Sequence, residues 1–160
     1  STAWITAPLP FVINIVNYST QDKMNTEVKQ RLIERVQMNP YVKHLGVQFT
    51  VVEDGIVEAR MPLHEEQRQY SGVIHGGVLA ALADTIAGFA AYTLTPLDKD
   101  VLTAELKVSF LRAVWGKELI AKGFVIKPGR NVHFSECEIY CDDKLVSKAS
   151  GTFSVVHPQV

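Results

Sequence analysis

One acidic residue lies inside the most apolar stretch of the chain. Residues 75–93 read HGGVLAALADTIAGFAAYT, with Asp84 at the middle. Burial disfavours a carboxylate's charged form and raises its pKa, the tuning expected of a general base or an unsolvated nucleophile. A structural role, as a cap or an arginine partner, is the alternative. The start of the same segment favours chemistry. His75-Gly76-Gly77 places two glycines where a helix should begin, and bare backbone N–H groups there carry the positive end of the helix dipole. Such donors can hold a carbonyl oxygen as it becomes an oxyanion. Tight strand-to-helix turns also use glycine, so the signal is the pair together with the acid.

The other reactive residue types carry less. His75 has a near-neutral reference pKa, but ordering the loop or lining the site suits it better than acting as a base. Thr85 points about 100° away from Asp84 on a helix, and its hydroxyl is expected to bond back to the preceding turn. Lys127 and Arg130 flank Pro128-Gly129 and are candidates for gripping phosphates, with a solvated turn as the plain reading. Arg112 is a further basic candidate at a strand end. Cys137 and Cys141 are four apart in an alternating segment, so on a strand their Cα atoms lie roughly 13 Å apart, beyond disulfide reach. They read as free thiols of a reducing, cytoplasmic compartment. The five histidines show no metal-ligand spacing with cysteine or acid, and the reading calls for no metal and no cofactor.

These residues need a scaffold, and the sequence supplies the outline of one. At 160 residues the chain suits a single domain with a real core. Sixteen basic against seventeen acidic residues leave a net charge of -1, without the basic footprint of a nucleic-acid or anionic-membrane binder. Residues 1–23 are apolar but are interrupted by Pro8 and Pro10 and lack a preceding charge, which fits neither a signal peptide nor a membrane span. They read as an N-terminal extension or as a segment packed on the domain surface, with the compact domain over 24–160. An amphipathic helix with Val28, Leu32, Ile33 and Val36 on one face opens that domain. A hairpin over 47–53 and 55–61 turns at Asp54-Gly55. Four more alternating segments cover 101–114, 117–126, 131–141 and 144–156, with turns at Pro128-Gly129 and Asp142-Asp143. In the first of these, Leu102, Ala104, Leu106, Val108 and Phe110 form the expected inward set. Residues 75–93 are too rich in glycine and alanine, and too acidic at the centre, for a membrane span. They read as a helix buried on all sides. Leu79, Leu82, Ile86 and Phe89 form its large face; Gly77, Ala80, Ala81, Asp84, Gly88 and Ala91 form the small one.

The segment HGGVLAALADTIAGFAAYT, followed by VLTAELKVSFLRAV and the closing GRNVHF…LVSKASGTFSVV, resembles the hotdog-fold acyl-CoA thioesterases of the PaaI-like branch. The similarity runs from about Leu45 to Val156, and its most specific piece is His-Gly-Gly with an aspartate nine residues after the histidine. The resemblance implies an α+β fold in which an antiparallel sheet wraps one long helix, assembled as dimers or dimers of dimers. It implies hydrolysis of an acyl-CoA thioester. By position, Asp84 matches the catalytic carboxylate and Gly76 the backbone donor to the thioester carbonyl. Gln69 falls where an Asn or Gln lies near that carbonyl, and Thr103 where a Ser or Thr assists the water. His75 and Gly77 would line the substrate with them. Gly88 replaces a hydroxyl residue of a related branch, so that contact is missing here.

Helix geometry points to dimerisation independently. Gly76 and Asp84 are eight residues apart, about 12 Å along one helix, and reacting groups must approach within about 3–3.5 Å. Two antiparallel helices meeting through the small face would bring Gly76 of one chain to Asp84 of the other. A hydratase reading lacks a second well-placed acid, and a non-catalytic acyl-CoA sensor has no need of Asp84.

Overall fold

The computed structural model describes residues 23–158, so the expectation for the N-terminal extension lies outside the described residues. Six strands form one antiparallel sheet: β1 (Gln48–Glu53), β2 (Ile56–Pro62), β3 (Asp100–Phe110), β4 (Glu118–Lys127), β5 (Val132–Cys141) and β6 (Lys144–Val156). Their order is β1-β2-β4-β5-β6-β3, which leaves β1 and β3 as edges. Helix α3 (Gly76–Thr93) lies across the sheet, packed mainly on β4 and β5. This is the hotdog arrangement.

The turns follow from their residues. Gly55 has a positive φ of 73° at the β1–β2 turn, and Asp142 and Asp143 both adopt positive φ in the two-residue β5–β6 turn, as the twist of a tight hairpin requires. The large face of α3 enters the core: Leu82 and Ile86 are fully buried, and Phe89 meets Phe49 edge to face at 5.5 Å. Helix and sheet come close together at Gly123 on β4. A Cβ there would lie 2.6 Å from the Ile86 carbonyl oxygen, so only glycine permits this approach.

Helix α1 (Lys23–Met38) presents Leu32 and Val36 to the core, as its periodicity predicts. It is followed by a short helix, α2 (Pro40–Leu45), which is additional to the elements expected from periodicity. The local signals are present in hindsight: the Asn39 side chain accepts the Val42 N–H at 3.2 Å, Pro40 occupies the first turn, and Gly46 ends the helix in the left-handed region.

Two expectations are corrected. Helix α3 is not buried on all sides: nine of its 18 residues are buried, while Ala80, Ala81, Asp84 and Gly88 remain partly accessible. One sheet covers one face of a helix, and α1 shields only part of the other. The inward set of β3 is also different. A β-bulge interrupts the β3–β6 ladder between Thr103 and Glu105, placing Thr103 opposite Phe153 and Glu105 opposite Thr152. Leu106 and Val108 are partly buried against the core as expected, but Leu102 and Phe110 are 51% and 56% exposed, and Ala104 is the extra residue. Strict alternation counted back from Phe110 is one residue out of phase beyond the bulge.

Candidate active site

The bulge aims Thr103 at α3. Its Oγ1 donates to Asp84 Oδ1 over 2.7 Å, a length typical of a hydroxyl on a carboxylate. Asp84 is half-buried and borders a pocket of about 210 Å³ together with Thr103, Gly88, Phe89, Tyr92 and Phe153. Within one chain it is therefore not the dry acid that a fully buried helix would make it. With Oδ1 held by Thr103, Oδ2 is left to the pocket. Thr85 bonds the Ala81 carbonyl at 2.7 Å, the back-bond expected of a helical threonine.

The other end of α3 is built as a donor site. His75 is the N-cap residue, and its Nδ1 accepts the Gly77 N–H at 2.8 Å. The Val78 N–H reaches the His75 carbonyl at 2.9 Å. Among the described hydrogen bonds none uses the Gly76 N–H, which stands at the positive end of an 18-residue helix. Both glycines have a steric reason. A Cβ on Gly77 would lie 3.0 Å from the capping His75 Nδ1, and one on Gly76 would press the Phe110 ring at 3.2 Å. His75 thus acts as a cap, in line with an ordering role.

Gln69 borders a second hollow, shared with Gly76, Leu79, Phe110 and Arg112. Its position is fixed by a turn in which the Gly72 N–H bonds the Gln69 carbonyl at 2.8 Å, and the Gln69 N–H bonds that of Val73 at 2.7 Å. Arg68 fastens this loop. Its guanidinium donates to the Gly72 and Gly116 carbonyls, both at 3.0 Å, tying the strand-like approach to α3 against the turn before β4. Nothing in the sequence marks Arg68, because its partners are backbone carbonyls, one four residues on and the other 48 residues away.

The structure therefore gathers the expected residues in two places: Asp84 is hydrogen-bonded to Thr103, and Gly76 and Gln69 border one hollow. Lys127 and Arg130 join neither group. Both are exposed at the β4–β5 turn, where Arg130 borders a cleft with Lys99, Asn131 and His157. That turn is held by His133, buried beneath it, whose Nδ1 accepts the Gly129 N–H at 3.3 Å and whose Nε2 faces Thr95 Oγ1 at 3.2 Å. Burial lowers the His133 pKa below its ordinary value. Cys137 and Cys141 are free and buried. Burial pushes the Cys137 thiol up to about 12, which removes it as a nucleophile near neutral pH. Among the described residues, no three His, Cys, Asp or Glu side chains gather as metal ligands.

Comparison with known proteins bears on this arrangement. The thioesterase superfamily profile matches residues 71–148, the stretch from just before the His-Gly-Gly cap into β6. The chain is 33% identical over 106 residues to the proofreading thioesterase EntH of Klebsiella pneumoniae, spanning 66% of this chain and 77% of that one. Among solved structures, a thioesterase family protein from Silicibacter pomeroyi is similar with a TM-score of 0.79 and 26% identity, over 82% of this chain and 99% of the other. A thioesterase from Haemophilus influenzae is similar with a TM-score of 0.72 and 30% identity, over 78% and 88% of the two chains.

Proposed function

The chain belongs to the thioesterase superfamily, in its hotdog-fold form, and from that premise we propose that it hydrolyses acyl-CoA thioesters to the free acid and CoA at a site assembled from two copies of itself. The observation that carries this reading is the Asp84 carboxylate, anchored at one oxygen by Thr103 and open to a pocket at the other. Asp84 Oδ2 takes a proton from water as the water oxygen bonds the thioester carbon, or bonds that carbon itself; both routes use the same free oxygen. The carbonyl oxygen becomes an oxyanion held by the Gly76 N–H at the helix terminus, with Gln69 beside it. On the water route, collapse of the tetrahedral intermediate breaks the C–S bond to give the free acid, and the CoA thiolate takes up the proton held by Asp84. On the direct route, collapse leaves the acyl group as an anhydride on Asp84, and a water then cleaves it to the free acid, restoring the carboxylate and supplying the thiol proton.

The two-copy site is supported by geometry. Gly76 and Asp84 lie on one straight helix about 12 Å apart, and they border separate hollows of the same chain. The small face of α3 is open, and the edge strand β3 exposes Leu102 and Phe110, at 51% and 56%. A dimer related by a twofold axis along these elements would join each Asp84–Thr103 pair to the partner's N–H donor. Arg130 and Lys127 would meet the CoA phosphates at the rim as charged donors, with Lys99 beside Arg130. The two free, buried thiols support a cytoplasmic location.

A thiol-release assay over a panel of acyl-CoA esters tests the reading. Catalytic release of CoA is the expected result. Tight binding of the esters without release would overturn it in favour of an acyl-CoA sensor.

A further inference from the structure

Beyond Asp84 the pocket continues along α3 and changes character. Asp84, Gly88 and Tyr92 follow one another at four-residue spacing, marking one helix face over about 12 Å. Gly88 keeps this path clear, since a Cβ there would lie 3.3 Å from the Phe153 ring. Phe89 and Phe153 provide apolar walls, but the far end is polar. There α1 and the residue after it contribute Arg35 and Asn39, and the start of β3 contributes Asp100.

These three side chains are not equivalent in what they have left to offer. Arg35 is ion-paired with Asp100 Oδ2, and Asp100 Oδ1 accepts the Val101 N–H at 2.7 Å, so both carboxylate oxygens are engaged. Asn39 uses its carbonyl oxygen to cap α2 and keeps its amide N–H groups. Arg35 retains guanidinium N–H donors beyond the one on Asp100. The end of the pocket is thus rich in donors while its charges cancel.

We infer that this pocket selects a compact acyl group carrying a neutral hydrogen-bond acceptor, such as a hydroxyl or keto oxygen, at its far end, and that the Arg35–Asp100 pair makes the selection. The inference rests on the thioesterase reading, with the acyl group lying in the hollow beyond Asp84. A plain alkyl terminus would displace water from an ion pair and return no hydrogen bond. A carboxylate terminus would meet Arg35 and Asp100 together, a pair of zero net charge that offers its desolvated charge no counter-ion of its own. A long chain would run past the donors and leave part of its length in water, because the pocket holds only about 210 Å³ and opens to solvent.

Two esters of equal chain length separate these effects: ω-hydroxyoctanoyl-CoA and nonanoyl-CoA, with palmitoyl-CoA as the long probe. The native protein should favour the hydroxylated ester in kcat/KM by about tenfold, the scale of one hydrogen bond to a charged donor, and should hydrolyse the palmitoyl ester least. The paired substitution Arg35→Met with Asp100→Leu should reverse the preference between the first two. If circular dichroism shows that this variant loses its fold, Arg35→Gln with Asp100→Asn keeps the shapes, removes both charges and should shrink the ratio. Because each ratio is taken within one protein, a general loss of activity does not imitate the result. Equal kcat/KM for the two esters in the native protein, or an unchanged ratio in a folded variant, would overturn the selection and leave the thioesterase reading standing. Release of thiol from no ester at all would overturn both.

Discussion

Thr103→Val deletes one hydroxyl from the proposed site while keeping the side chain's volume and branching. In the native chain that hydroxyl donates to Asp84 Oδ1 at 2.7 Å, and hydrogen bonds to charged groups contribute roughly 1.5–3 kcal/mol. Asp84 is half-buried and Thr103 exposed in a single chain, so water can replace part of the lost bond and the lower end of that range applies. A loss of about 1.4 kcal/mol is tenfold in rate. The expected result is therefore a fall in kcat of about tenfold with little change in KM, because Thr103 orients the base and does not hold the CoA moiety. Thr103→Ser restores the donor and should restore most of the rate. Asp84→Asn, which removes the base, should cost at least ~100-fold with the fold intact. Steady-state thiol release with an ester the native protein hydrolyses well gives kcat and KM for all three, and for the Asp84→Asn/Thr103→Val double variant. Since Thr103 acts only through Asp84, the double variant should be no slower than Asp84→Asn alone. An unchanged kcat in Thr103→Val, or a further full tenfold loss in the double variant, would refute this account.

The shared site is open to complementation. Asp84→Ala and Gly76→Pro should each be inactive, yet refolding them together should recover activity, because one site of a mixed dimer keeps both intact groups. Proline suits the first helical position, and His75 already has the extended backbone a following proline requires (φ -62°, ψ 135°), although the Phe110 ring must yield slightly. Folded mixed dimers without recovered hydrolysis would end the cross-subunit mechanism. Stability should also depend on pH through His133, whose folded pKa lies below the unfolded value of 6.5. The unfolded chain protonates first, so the contribution is complete above about pH 6.5 and is lost as pH falls through the folded value. Urea midpoints should drop from about pH 7.5 to 5 more steeply in the native protein than in His133→Gln, and parallel curves would refute the assignment. Gly123→Ala should destabilise by about 1–3 kcal/mol through overpacking against the Ile86 carbonyl, read as a lower Tm; an unaltered Tm would show that α3 can shift without cost.

Periodicity and turn chemistry made most of the scaffold legible. The strands, the Asp54-Gly55 and Asp142-Asp143 turns and the start of α3 at Gly76 all rest on short-range preferences that the final fold respects. Two kinds of feature escaped. The phase of β3 depends on a bulge, and a bulge is set by pairing with β6, to which no residue near Ala104 gives a local clue. Arg35, Asp100 and Arg68 are ordinary surface-type residues in sequence and acquire a role only when distant segments meet. Asp84 and Gly76 were visible for the opposite reason. An acid in an apolar helix and bare glycines at its start both conflict with their surroundings, and such conflicts can be detected without knowing the fold. The small face of α3 was legible as the face that another backbone or a ligand could approach, but its partial accessibility within one chain was not, because composition cannot say how many layers will cover a helix.

The extra residue in β3 also bears on how this site can be altered by changes of length. Without Ala104, the strand would continue in plain alternation, with Thr103 still opposite Phe153 and Glu105 still opposite Thr152. The core would keep every partner. What would be lost is the local kink and added twist that a bulge supplies beside Thr103. A deletion of this single alanine would therefore leave the chemical inventory of the site complete and change only its aim. Gain or loss of one small residue at this point is a route by which a chain of this design could acquire or surrender catalysis while its core stays the same.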